Sequence, residues 1–383
     1  MNENQGGVNA AKYDVNMQRA ISDGIWDFRR PEDGPFSING LLAFGPEKLY
    51  RRLPSGTRAS LPEAVDLLAN CPAGGQIRFR TNATRLAIRV QMAGAATMDH
   101  MPVTGQCGLD AYIGKPGQQR YAATARPGID GREYEHILWD VTEDAKGQTA
   151  EGNPFLSGEM VDVTLNLPLY QGVHQVLIGV KKEAVVKAPT AYATDRRILL
   201  YGTSITQGAC ASRPGLMYSN ILSRRIPLEF INLGFSGSGK GEAEVALAIR
   251  DIERPACLIL DYEANCTTEL YQETLEPFIR LYREYHPDIP IIVISRIPYP
   301  GELFQPARRA EWLNRKKIAE ACVARLISLG DRMIDFVDGS RLLGPYWQDC
   351  TVDGTHPNDL GFMNMADKLE PILRKVLQKN GVL

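Results

Sequence analysis

Two hydrophobic rhythms divide the chain near residue 190. Before that point apolar positions recur mostly at every second residue. Gln76-Ile77-Arg78-Phe79-Arg80 alternates apolar with polar side chains, the pattern of a half-buried strand. Thr81-Asn82-Ala83-Thr84 reads as turn material, and Leu86, Ile88, Val90 and Met92 alternate again, so residues 76–92 predict a hairpin. Val161, Val163, Leu165, Leu167 and Leu169 repeat the pattern, and residues 174–180 add another strand. Short strands separated by Gly/Pro-rich loops predict a β-sandwich of jelly-roll type, with some helix before it around residues 61–70.

The polar stretch 181–196 reads as a linker or crossover. After it, short apolar runs appear at 198–201, 230–233, 257–260, 291–294 and 334–337. Longer amphipathic stretches separate them, for example 275–285 and 311–329, and a helix is expected from about residue 362 to 378. Five alternations of strand and helix predict an α/β domain: a five-stranded parallel sheet with helices on both faces. The expected division is therefore 1–190 for the sandwich and 191–383 for the α/β domain. In such sheets ligands bind at the carboxyl ends of the strands, so chemistry is sought where the strands stop.

Three strand ends and one late turn stand out. They are Gly202-Thr203-Ser204-Ile205-Thr206-Gln207-Gly208, Asn232-Leu233-Gly234-Phe235-Ser236-Gly237-Ser238-Gly239, Asp261-Tyr262-Glu263-Ala264-Asn265, and Asp353-Gly354-Thr355-His356-Pro357. A serine hydroxyl is a weak nucleophile and needs a neighbouring base, which His356 supplies near neutral pH. Asp353, three residues before it in a turn, can hold that imidazole in the right tautomer. The N–H groups of Ser204 and Gly237, with the side-chain amide of Asn265, can serve as an oxyanion hole.

These pieces, in this order, resemble the SGNH (GDSL-type) hydrolases. Gly108-Leu109-Asp110-Ala111-Tyr112 resembles the G-x-D-L-Y motif of their two-domain branch, with alanine where leucine is usual. The resemblance covers nearly the whole chain. It implies a flavodoxin-like hydrolase domain behind a β-sandwich, a Ser204–His356–Asp353 triad, and an oxyanion hole of Ser204, Gly237 and Asn265. It implies a serine esterase acting on short acyl esters, often acetyl groups on carbohydrates or other small alcohols, with acyl transfer as the alternative outcome. No cofactor or metal is implied. Two departures are visible: Thr203 stands where the family usually has aspartate, and Glu263-Ala264-Asn265-Cys266 replaces the usual Gly-x-Asn-Asp.

Composition narrows the alternatives. With 383 residues, 44% hydrophobic and 23% charged, the chain has the make-up of a globular protein long enough for two domains. A formal charge of −2 gives no positive field for nucleic acid or an anionic membrane. The first twenty residues lack the apolar core of a signal peptide and no apolar run spans a bilayer, so a cytoplasmic location is expected. Seven scattered cysteines without a C-x-x-C pair read as reduced thiols, Cys210 among them as a small buried filler. Neither H-E-x-x-H nor clustered Cys/His occurs, so zinc is not expected. Oligomeric state leaves no sign in the sequence.

A rival chemistry comes from Gly234 to Gly241, which nearly matches the phosphate-binding loop G-x-x-x-x-G-K-[ST]. Glycine at 241 removes the hydroxyl that would ligate magnesium, and the reading leaves Ser204 and His356 without a role. A non-catalytic carbohydrate-binding sandwich is a third reading. Of the remaining histidines, His136, His174 and His286 read as structural, and His100 as a residue of the substrate cleft. Asp110 and Tyr112 are placed in the sandwich or at the domain interface.

Overall fold

The computed structural model describes residue 14 and residues 26–57, 59–141 and 158–383. Two antiparallel sheets make up the first half. One runs in the order β1 (Asp27–Arg29), β9 (Val173–Val180), β4 (Arg85–Met92), β7 (Glu133–Asp140). The other runs β10 (Val186–Lys187), β3 (Gln76–Thr81), β8 (Val161–Asn166), β5 (Leu109–Ile113), β6 (Arg120–Ala125), and β2 (Ser37–Asn39) also pairs with β3. Ile77 and Phe79 from one sheet and Leu86, Ile88, Val176 and Ile178 from the other share one apolar core, so this is a sandwich.

The expected hairpin at 76–92 is not formed. β3 bonds to β8, β2 and β10, whereas β4 bonds to β7 and β9. Residues 82–84 carry the chain across from one sheet to the other, with the Ala83 amide donating to Thr81 Oγ1 at 3.0 Å. Alternation marks the face of each strand that enters the shared apolar core; β3 is not half-buried, because Gln76 and Arg78 on its other face are covered too. Strand β8 also stops earlier than its apolar pattern, at Asn166. Leu167 and Leu169 remain buried, their amides donating to Gly75 and Gly105 carbonyls at 2.9 and 3.2 Å. The helix expected near residue 65 covers Glu63–Leu68. The polar stretch 181–196 lies along the sandwich: it contains β10, and the Thr190 amide and hydroxyl each donate to Asp162 at 2.7 Å.

The second half is a parallel sheet in the order β12 (Glu229–Gly234), β11 (Arg197–Gly202), β13 (Pro255–Asp261), β14 (Ile291–Ile294), β15 (Ile334–Val337). The residues of β11 divide by parity between its two faces. Ile198 and Leu200 pack with Phe362 and Leu369 of helix Asp359–Lys379, while Leu199 and Tyr201 pack with Val245, Phe278 and Val323 of three other helices. A strand buried on both faces reads as a largely apolar run, which is why the central strands β11, β13 and β14 were visible in the sequence. The first strand lies between the second and third, so the crevice of this sheet opens where β11 ends. No helix among the described residues is long and apolar enough to cross a membrane.

The segment 108–112 makes one of the contacts between the two halves. Asp110 is fully buried and accepts from Arg213 (2.7 Å), the Gly215 amide (2.8 Å) and Asn166 (2.9 Å). Arg213 also donates to the Tyr112 hydroxyl at 2.6 Å. Gly105 comes close enough to the other half that a Cβ would sit 2.1 Å from the Ala211 carbonyl oxygen.

Candidate active site

Ser204 is the first residue of a one-turn helix, Ser204–Gln207, that begins where β11 stops. Thr203 caps that helix: its Oγ1 accepts from the Ile205 amide at 3.2 Å. Threonine is a capable N-cap, so the start of this helix is satisfied with Thr203 in place. The corner is tight against β12, and a Cβ at Gly234 would meet the Gln207 nitrogen at 2.2 Å.

Across the crevice, the 353–356 turn is pinned at both ends. Thr351 and Pro357 form a β-bridge, and the Val352 amide donates to the His356 carbonyl at 2.9 Å. Gly354 takes φ +82°, which explains a glycine at this corner. Asp353 Oδ1 accepts the Thr355 and His356 amides at 2.9 and 2.8 Å, and its Oδ2 lies 2.7 Å from His356 Nδ1. Burial works to raise the Asp353 carboxyl, but the amide and ring N–H bonds from His356 and the Thr355 amide outweigh it and hold it below the usual carboxylate range. His356 Nε2 then stands 2.9 Å from Ser204 Oγ. The structure thus brings Ser204, His356 and Asp353 into one hydrogen-bonded line.

The proposed oxyanion donors lie at adjacent strand ends. Gly237 takes φ +68°, is exposed, and has no atom within 4 Å of where a Cβ would be. Asn265 Nδ2 donates to the Phe235 carbonyl at 3.4 Å, a long bond that sets this side chain against the Gly237 loop. Glu263, next to it, turns away into the protein, where it accepts the Arg296 amide at 2.8 Å and Arg315 Nε at 3.3 Å.

Several polar residues that the sequence did not single out hold this arrangement. Gln207 is fully buried; its Nε2 donates to the Leu169 carbonyl of the sandwich at 3.1 Å and its Oε1 accepts the Ser236 amide at 3.0 Å. It thereby ties the serine's helix to the sandwich and to the Gly237 loop. Tyr170 OH reaches the Ser204 carbonyl at 3.4 Å. Beneath the corner, Asp261 accepts from Thr206 Oγ1 at 3.0 Å and Tyr218 OH at 2.9 Å. Burial pushes Asp261 up to about 7, although both hydroxyl bonds act to lower it. His100 lies next to the 353–356 turn, its ring centroid 5.8 Å from that of His356 and its Nε2 3.8 Å from Asp353 Oδ2. His286 Nε2 donates to the Arg250 carbonyl at 2.7 Å, a structural role.

The loop resembling a phosphate cradle spends its amides internally. Lys240 N donates to Glu242 at 3.1 Å and Gly241 N to the Tyr201 hydroxyl at 2.8 Å. The following helix begins only at Ala243, with the acidic Glu242 at its cap.

A model of the GDSL-like lipase/acylhydrolase family matches residues 195–374, and one for the N-terminus of SGNH-hydrolase-type esterases (GxDLY) matches residues 26–186. Among solved structures, a Bacteroides ovatus protein assigned as a GDSL-like lipase is 30% identical with a TM-score of 0.82, covering 92% of this chain and 98% of its own. The salicylyl-acyltransferase SsfX3 of a tetracycline biosynthetic pathway is 20% identical with a TM-score of 0.70, over 94% of this chain and 98% of that one. A family two carbohydrate esterase from Cellvibrio japonicus shares the fold at 13% identity, TM-score 0.57, over 92% and 98%. No curated protein matches the chain. A sandwich matched by the GxDLY family model, a parallel sheet with a serine at its switch point and a full-length relative at 30% identity lead to one assignment: the chain is an esterase of the GDSL-like lipase/acylhydrolase family, in the SGNH-type form with a GxDLY N-terminal domain.

Proposed function

We propose that this esterase hydrolyses short acyl esters, acetyl esters of a carbohydrate or another small alcohol, with Ser204 as nucleophile. The observation that carries the reading is the line of bonds from Ser204 Oγ through the His356 ring to Asp353, at 2.9 and 2.7 Å. His356 Nε2 takes the serine proton as Oγ attacks the ester carbonyl, and Asp353 holds the tautomer with Nδ1 protonated. The tetrahedral oxyanion is met by the Ser204 and Gly237 N–H groups and by Asn265 Nδ2. Collapse of that intermediate expels the alcohol, which leaves with the proton from His356. Water, giving a proton to His356, then attacks the acyl-serine carbonyl; collapse breaks the bond to Oγ, releases the carboxylic acid, and Ser204 Oγ takes its proton back from His356.

The carbohydrate part of the reading is supported by the fold shared with the Cellvibrio japonicus carbohydrate esterase and with an acetyl xylan esterase of Butyrivibrio proteoclasticus. A second reading, acyl transfer to an acceptor alcohol, is supported by the likeness to the salicylyl-acyltransferase. It uses the same acyl-serine and differs only in the nucleophile that resolves it. The test is turnover of p-nitrophenyl acetate, butyrate and octanoate, and of acetylated sugars, with and without an added alcohol. Hydrolysis that falls with acyl length supports the esterase reading; ester exchange that outruns hydrolysis when alcohol is present moves the assignment to acyl transfer. Activity equal in wild type and Ser204→Ala contradicts both.

A further inference from the structure

We propose that His100, Cys210, Asp353 and His356 form a binding site for a zinc-class divalent cation, and that filling it switches the esterase off. One donor atom from each of these four side chains lies within 4.8 Å of the other three. They come from distant segments, with His100 supplied by the sandwich, so no sequence motif announces them. Two imidazoles, a thiol and a carboxylate make the mixed donor set that zinc accepts in four-coordinate sites. A bound thiolate and carboxylate would together neutralise the ion's charge.

Two further features belong to this site and not to the triad. The first is the support of His100. Gln106 is buried, and its side chain accepts the Thr97 and Met98 amides at 2.9 Å each while donating to the Met98 and Met101 carbonyls at 2.8 and 2.6 Å. Four bonds therefore shape the short loop that presents His100 to Asp353. The second is Cys210 itself, which takes φ +70°. Of the described non-glycine residues with positive φ, Lys48 and Arg254 are exposed and Cys210 is buried. That conformation favours glycine, so a side chain held there at the cleft points to a use for its sulfur.

The consequences follow from which groups the ion takes. On binding, the thiol proton passes to solvent and the sulfur becomes a ligand. His356 gives its lone pair to the ion and can no longer accept the serine proton. The binding half of this proposal stands apart from the esterase reading; the switching half rests on it.

The two halves are tested separately. Cobalt(II), a spectroscopic substitute for zinc, is titrated into the Ser204→Ala protein, whose turnover is irrelevant to the measurement. One equivalent should give a thiolate-to-cobalt charge-transfer band with intense tetrahedral bands, lost in Ser204→Ala/Cys210→Ser, and His100→Ala should weaken the affinity by at least the roughly 10–100-fold that losing even an outer-shell partner costs. Zinc should inhibit ester hydrolysis by wild type reversibly on chelation, with the inhibiting concentration raised by a similar factor in His100→Ala. Cobalt binding without a thiolate band, or zinc inhibition identical in wild type and His100→Ala, overturns the site. His100 is part-exposed, so that variant keeps the test open should a Cys210 variant fold poorly.

Discussion

Arg213 donates at 2.7 Å to Asp110, a carboxylate that the sandwich buries completely. Burial acts to raise Asp110, while Arg213 and the bonds from Asn166 and Gly215 pull against it. The same guanidinium serves the Tyr112 hydroxyl, so one side chain of the hydrolase half satisfies both polar residues of the G-x-D-L-Y segment. The contact between the two halves therefore includes a buried ion pair, and such pairs are costly to break from one side.

Arg213→Leu should lower unfolding stability by about 3–5 kcal/mol, because it leaves Asp110 buried without its partner. Adding Asp110→Asn to that variant should recover part of the loss. Chemical denaturation of the two variants measures both. A loss below about 1 kcal/mol for Arg213→Leu would mean the pair behaves like one on the surface.

The oxyanion assignment makes a kinetic prediction. Asn265→Ala should reduce kcat by roughly 10²–10³ with little change in KM, the usual effect of losing one preorganised donor. Wild-type kcat in this variant would remove Asn265 from the hole.

Asp261 gives a stability prediction with a definite sign. Its carboxyl is raised from 3.8 to about 7 in the folded state, so between those values the folded protein holds more protons than the unfolded chain. Stability contributed by this group is therefore fully present below the unfolded value and falls as pH rises to about 7. Asp261→Asn keeps an oxygen for Thr206 and Tyr218 but does not ionise. The melting temperature of wild type relative to Asp261→Asn should fall across that window, and a difference that stays constant with pH would contradict the assignment.

Asp353 runs the other way. Its lowered carboxyl contributes stability above the ordinary carboxylate value, lost as pH falls through the depressed one. Asp353→Asn should leave Ser204 and His356 in place yet reduce kcat by roughly four orders of magnitude, through loss of the correct tautomer. Retention of more than about a tenth of the activity would show that His356 is oriented by something else.

The parts of this molecule that were legible in the sequence are those where local chemistry and position coincide. Strands β11, β13 and β14 bury both faces and so write largely apolar runs, while the edge strand β15 leaves Asp335 exposed. Ser204 and the Asp353–His356 turn follow strand ends in a fixed order. The hairpin at 76–92 failed because alternation reports a buried face and says nothing about which neighbour a strand bonds. Gln106 and Gln207 were invisible for a related reason. A glutamine is ordinary in any loop, and its importance lies in backbone groups that only the fold brings within reach. The grouping of Cys210 with His100 is of the same kind, since neither residue has a ligand-like spacing to the other.

The most direct measurement is intact mass after incubation with a fluorophosphonate, on wild type and Ser204→Ala side by side. A single adduct on wild type, absent from Ser204→Ala and suppressed in His356→Ala, is the result required of a serine activated by the 2.9 Å contact with His356. An adduct of equal yield on Ser204→Ala, or none on wild type that hydrolyses esters, would place the nucleophile elsewhere.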